Sequence, residues 1–164
     1  MCRSQIFENE FLEATEKQKE NKMNKIAVVF WTGTGNTEVM ANEVVTGAKE
    51  AGADVTLFNT SAFKVENATE FDKFALGCPA MGAEELEDSE FQPLYDQLKT
   101  QIAGKKVVLF GSYGWGGGEW MNAWKEDAVN AGLVLADDPL AIEGAPDDAG
   151  KAKCRELGKV LALS

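Results

Sequence analysis

The stretch KIAVVFWTGTGNTEVMANEVV, Lys25 to Val45, decides how the rest of the chain is read. It opens on a short apolar run rich in β-branched residues, which predicts a strand buried on both faces. It ends on a helical pattern with Val39, Met40, Val44 and Val45 near one side, and Gly52 is placed to stop that helix. Between the two stand Thr32, Gly33, Thr34, Gly35, Asn36 and Thr37. A strand-to-helix turn of this kind collects the free N–H groups of a helix start, which suit an anion. The glycines let backbone approach it, and three hydroxyls and one amide add donors. No Lys or Arg is present. A nucleoside-triphosphate loop would read GxxxxGK[ST] and a dinucleotide loop GxGxxG, whose third Gly position is here Glu38. The loop suits a monophosphate held by hydroxyls and amide dipoles alone. The plain alternative is a capped turn with no ligand.

Outward from this stretch the same alternation continues. ADVTLFN, KFALGCP and KKVVLFGS predict three further strands, and LVLADDPLAIEG carries a short fifth. FQPLYDQLKTQI, EWMNAWKEDAVNAG and DAGKAKCRELGKVLAL predict helices, the second of them ending at Gly132. Apolar strands alternating with helices imply an α/β fold: a three-layer, doubly wound, five-stranded parallel sheet in the order 2-1-3-4-5. Ligands in such sheets lie at the carboxyl ends of the strands beside the switch point, so the loops after strands one, three and four carry the information.

The loop after strand three reads Cys78, Pro79, Ala80, Met81, Gly82, Ala83, Glu84, Glu85, with Gly82 suited to the first central position of a type II′ turn. The loop after strand four reads Ser112, Tyr113, Gly114, Trp115, Gly116, Gly117, Gly118. A large aromatic among four glycines has little to pack against unless a ligand is brought to it; the alternative is a Trp folded back on the core. Trp120 and Trp124, on the helix that follows, are expected in the core or half-buried.

Totals narrow the classes. The 164 residues make one domain, and 45% of them are apolar. No run approaches the roughly 18 apolar residues of a membrane span, and the first residues lack a secretory apolar core, so a soluble cytoplasmic protein is expected. Residues 1–22 are polar with a small cluster at Ile6, Phe7, Phe11 and Leu12, and read as a loosely ordered extension before a domain at 23–164 that starts at Met23. Cys2, Cys78 and Cys154 form no framework and no CxxC, and there is no His, which excludes Ser-His-Asp and Cys-His catalysis and disfavours zinc or haem. A net charge of −11, from 27 acidic and 16 basic residues, argues against nucleic acid and for basic protein partners.

TGTGNT after strand one, CPAMGxE after strand three and GSYGWGxG after strand four together resemble the flavodoxins, most of all the short-chain class of anaerobic bacteria. The similarity spans 23–164, and no long insertion breaks strand five. The resemblance implies FMN, with its phosphate uncompensated in Thr32 to Thr37. It implies Trp115 on one face of the isoalloxazine ring and Met81 on the other, and a Glu84 carboxylate accepting from flavin N3–H. Backbone at Gly82 would meet N5, and backbone from Gly114 to Gly116 the pyrimidine end. Ser112 is expected near the phosphate, Cys78 to Ala80 near the ribityl chain, and Tyr113 in the same loop. One departure is Ala83, where relatives often carry Asp or another polar residue.

The resemblance further implies a low-potential one-electron carrier, shuttling between semiquinone and hydroquinone as a monomer to serve redox enzymes. The peptide after Gly82 would turn over on reduction so that its carbonyl accepts from N5–H, a change that Gly permits cheaply. From Phe74 to Leu98 there is no Lys or Arg, while Glu84, Glu85, Glu87, Asp88, Glu90 and Asp96 are acidic, which opposes the anionic two-electron form. No general base, nucleophile or metal set accompanies the loops. Two other readings share the strand order. A small NAD(P)H-dependent FMN quinone reductase would turn over nicotinamide by itself. A phospho-receiver domain would need an acidic cluster where Trp31 and Thr32 stand, and a Lys where Glu143 and Gly144 stand.

Overall fold

Strand β1 (Lys25–Phe30) lies inside the sheet, with β2 (Asp54–Asn59) on one side and β3 (Lys73–Gly77) on the other. The computed structural model describes residues 24–81 and 85–164. The expected extension at 1–22, the start at Met23, and Gly82, Ala83 and Glu84 lie outside the described residues. Beyond β3 comes β4 (Lys106–Tyr113), and beyond it the two segments β5 (Val134–Leu135) and β6 (Leu140–Glu143). All these pairings are parallel and the order is β2-β1-β3-β4-β5, as expected.

One expectation needs adjusting. The fifth strand is two pieces, both on β4: Val134 sits opposite Lys106 and Leu140 opposite Phe110. The cause is local. Between the pieces lie Ala136, Asp137, Asp138 and Pro139; the Asp138 N–H turns to the Asp137 side chain and Pro139 has no N–H to give.

Alternate residues of the buried strands point to opposite faces, which splits the core in two. Ala27, Val29, Phe74, Leu76, Val107 and Leu109 face helices α2 (Phe91–Gln101) and α3 (Glu119–Asn130). Ile26, Val28, Phe30, Ala75, Val108 and Phe110 face α1 (Asn36–Glu50) and α4 (Asp148–Leu163). Trp120 and Trp124 are core residues, each 2% exposed. In α1 the buried seam is Met40, Ala41, Val44, Gly47 and Ala48, and Val39 faces outward. That shift follows from how closely α4 approaches: a Cβ at Gly47 would collide with the Arg155 carbonyl, and one at Gly158 with the Val44 carbonyl. Arg155 and Glu43 close the same seam with an ion pair of 2.7 Å. Gly52 and Gly132 adopt φ of 91° and 88° just past α1 and α3, as helix stops do.

Candidate functional site

Helix α1 begins at the carboxyl end of β1 with its first turn open. Its N-cap is Gly35, at φ 98°, and no side chain caps it. The neighbouring Thr32 hydroxyl accepts from Gly35 N–H at 3.0 Å and so shapes the loop without filling the helix end. Left-handed backbone at this point requires Gly, because a Cβ would cost roughly 1–2 kcal/mol. Thr37, one position into α1, is buried, and its hydroxyl lies 3.1 Å from that of Ser112 at the end of β4. The first and third ligand loops are thereby joined beneath the anion position.

The second loop leaves β3 across the top of β4. Cys78 N–H donates to the Phe110 carbonyl and Ala80 N–H to the Ser112 carbonyl. Met81 and Glu85 then exchange both backbone hydrogen bonds, at 2.8 and 2.9 Å. The expected ligand positions Gly82 and Glu84, between them in sequence, are outside the described residues. In the third loop Gly116 and Gly118 adopt positive φ, and Trp115 stands 54% exposed, so it is not folded back on the core. Tyr113 leans on Trp120, ring centroids 5.5 Å apart, and its carbonyl accepts from Gly144 N–H.

These loops enclose a cleft of about 320 Å³. The first contributes Gly33, Thr34 and Asn36, the second Pro79, Ala80 and Met81, and the third Ser112, Tyr113, Gly114 and Trp115. Among the described residues that line it, none is charged. Thr32, Gly35 and Thr37 form the frame behind the first loop, and Gly116 extends the third. Cys78 is brought beneath the cleft rather than into it: it is fully buried, its Sγ accepts from Glu87 N–H, and its carbonyl takes the Trp120 indole N–H. Burial pushes its thiol up to about 12, so it is inert as a nucleophile. Gly144, which also lines the cleft, comes from the loop after β6 and carries no motif of its own.

The exit of the second loop is held by Glu87, a 5% exposed carboxylate. It accepts from Glu90 and Phe91 N–H at the start of α2, from Ser89 N–H, each at 2.8 Å, and from the Ser89 hydroxyl. Burial alone would raise its pKa; those hydrogen bonds outweigh it and hold the carboxyl below the usual range. Its acidic neighbour Glu90 accepts instead from the Trp31 indole at 2.9 Å. In the sequence both acids read only as part of the negative charge around the second loop. The available signal for Glu87 was its position a few residues ahead of an apolar helix, where acids cap.

The donor set fits a phosphorylated flat ring: an open helix start with hydroxyls at one end, an uncovered indole at the other, and neutral walls between. The volume is at the small end for a cofactor cleft, and one side is open. The class defined is a doubly wound domain with a neutral cleft, suited to a phosphorylated flat ring, at the carboxyl edge of its sheet.

Comparison with known proteins gives the family. The flavodoxin family profile matches residues 28–158. The chain is 47% identical to the flavodoxin of Megasphaera elsdenii over 84% of this chain and 98% of that one. It is 45% identical to that of Clostridium beijerinckii over 82% and 97%. The solution structure of two-electron reduced Megasphaera elsdenii flavodoxin superposes with a TM-score of 0.77 at 46% identity, covering 85% of this chain and 99% of that one. The chain belongs to the flavodoxin family. It is an FMN-binding electron-transfer protein. Among the described residues no helix is long and apolar enough to cross a membrane.

Proposed function

We propose that this chain is a low-potential one-electron carrier, working between the one-electron and two-electron reduced forms of FMN to serve redox enzymes. The observation that carries this reading is a cleft that, among the described residues, has no cation beside an open helix start. FMN supplies the redox chemistry; the protein tilts it. A phosphate left uncompensated, with acids around the second loop, opposes adding the last negative charge. The two-electron reduced state of the Megasphaera elsdenii relative is of the kind proposed.

Thr32 to Thr37 with Ser112 would hold the phosphate. Pro79 and Ala80 would run beside the ribityl chain with Cys78 behind them. Trp115 and Met81 would flank the ring, with Tyr113 supporting through Trp120. Gly114 to Gly116 would meet its pyrimidine end, Glu84 its N3–H, and Gly82 its N5. In this reading the protein is a cytoplasmic monomer. Its partners are redox proteins with basic docking surfaces, and their encounters weaken with salt, a reading the net charge of −11 supports.

The test is a spectroelectrochemical titration of the purified yellow protein. Two separated one-electron couples, the second well below that of free FMN, are expected. A single two-electron wave, or a second couple at or above the free cofactor, overturns the reading.

A further inference from the structure

Trp31, the residue after β1, joins the first ligand loop to the start of α2. Its backbone N–H donates to the Gly77 carbonyl at 3.0 Å and prolongs the β1–β3 ladder by one step. Its ring is half-buried and packs on the core layer that α2 and α3 cover. Its indole N–H donates to Glu90 Oε2 at 2.9 Å, across 59 positions of chain. Glu90 is the residue immediately before α2, and its own N–H donates to the buried Glu87 carboxylate at 2.8 Å. The acceptor is thus carried on a helix start that is itself fixed, and it holds the indole at one end.

The other end of the ring meets the first loop. A Cβ built on Gly33 would stand 3.1 Å from Cη2 and 3.3 Å from Cζ3 of Trp31. That is closer than side chains ordinarily pack, so ring or loop would have to give way. The two glycines of this loop therefore answer different demands. Gly35 is at φ 98°, where a side chain is strained. Gly33 is free of that backbone demand and is small because the indole lies against it. Gly33 lines the cleft together with Thr34 and Asn36, so the loop rests there on the edge of a ring that Glu90 holds.

We infer that Trp31 is a positioning residue of the phosphate site, set by Glu90, and that it sustains a preference of the cleft for FMN over riboflavin. The inference rests on the reading in which Thr32 to Thr37 hold the phosphate. The two flavins share ring and ribityl chain and differ in the phosphate alone, so a support of the first loop acts on one and spares the other. A cradle of N–H groups binds an anion only while those groups converge on it, and a loop that drifts off the indole loses that convergence. Glu90 serves here as an acceptor. Its charge works the other way, since a carboxylate repels a phosphate. Loss of the charge alone would favour FMN, whereas release of the indole would weaken it, so the two effects differ in sign.

The test uses the full chain with its flavin bound, dialysed to equilibrium against mixtures of FMN and riboflavin, with the bound share of each read by chromatography. The unaltered protein should prefer FMN by more than about tenfold. Glu90→Ala and Trp31→Phe each leave the indole hydrogen bond unmade and should cut that preference about fivefold. Glu90→Gln keeps an oxygen for the indole and should stay within about twofold of the unaltered protein. Gly33→Ala should cut the preference about fivefold by itself, and hardly further in the Trp31→Phe chain, where the ring atoms that the Cβ meets are gone. Equal binding of the two flavins before any substitution overturns the phosphate reading and this inference with it. With the preference present, the inference alone is overturned if Trp31→Phe and Glu90→Ala leave it unchanged or raise it, if Glu90→Gln matches Glu90→Ala, or if Gly33→Ala costs as much in the Trp31→Phe chain as in the unaltered one.

Discussion

The hydroxyls of Thr37 and Ser112, 75 positions apart in the chain, lie within 3.1 Å of each other beneath the first ligand loop. One donates to the other, so a single buried hydrogen bond registers the start of α1 against the end of β4. Thr37→Val keeps the shape and removes the bond. It should lower stability by about 1 kcal/mol and FMN affinity by roughly tenfold, as read by denaturant melts of the apoprotein and by equilibrium dialysis.

Trp115 separates binding from folding. Its ring is 54% exposed and supports nothing in the core. Trp115→Ala should change apoprotein stability by less than about 0.5 kcal/mol while weakening FMN binding by about tenfold or more. A matching loss in both measurements would mean the ring is structural.

Glu87 predicts a pH dependence with a defined sign. Its folded pKa is depressed, so its contribution is complete above the ordinary carboxylate range and fades as the pH falls through the folded value. Glu87→Ala should cost about 2 kcal/mol at pH 7. Urea melts of the two proteins should converge on acidification below about pH 4.

The charge set around the second loop is smaller than its composition implies. Glu87 is spent on the N–H groups of α2, Glu90 on the Trp31 indole, and Asp96 sits 3.4 Å from Lys99. Among the described residues Glu85 and Asp88 remain as exposed charges beside Met81, and Glu84 lies outside them. Glu85→Gln with Asp88→Asn should raise the second couple by some tens of millivolts, and less in high salt. A redox titration at two ionic strengths measures it.

Gly82→Ala carries the remaining expectation. If the peptide there turns over on reduction, a Cβ penalises the turned form by roughly 1–2 kcal/mol and makes the first couple more negative by tens of millivolts. An unchanged first couple removes the turnover from the account.

What could be read from sequence was what continuous apolar runs and punctuating glycines encode. The runs at β1, β3 and β4 and the stops at Gly52 and Gly132 fix a parallel sheet, and the sheet order brings the three loops together. Less legible were features made by tertiary approach. Val39 looks like a core residue and is not, because α1 turns its small residues, Gly47 included, to α4. Cys78 belongs to a ligand loop by motif, yet its side chain is drawn under the cleft by Glu87 N–H. Gly144 reaches the cleft only because β6 pairs with the outer half of β4, a pairing that hydropathy does not register.

The division of the last strand into β5 and β6 has one more consequence. Each piece is anchored to β4 by its own ladder, and Ala136 to Pro139 bridge them at the sheet's rim without contributing to the flavin cleft. That bridge is a natural splice point: extra polypeptide grafted there would extend the molecule outward while both ladders, and the loops they position, stay in register.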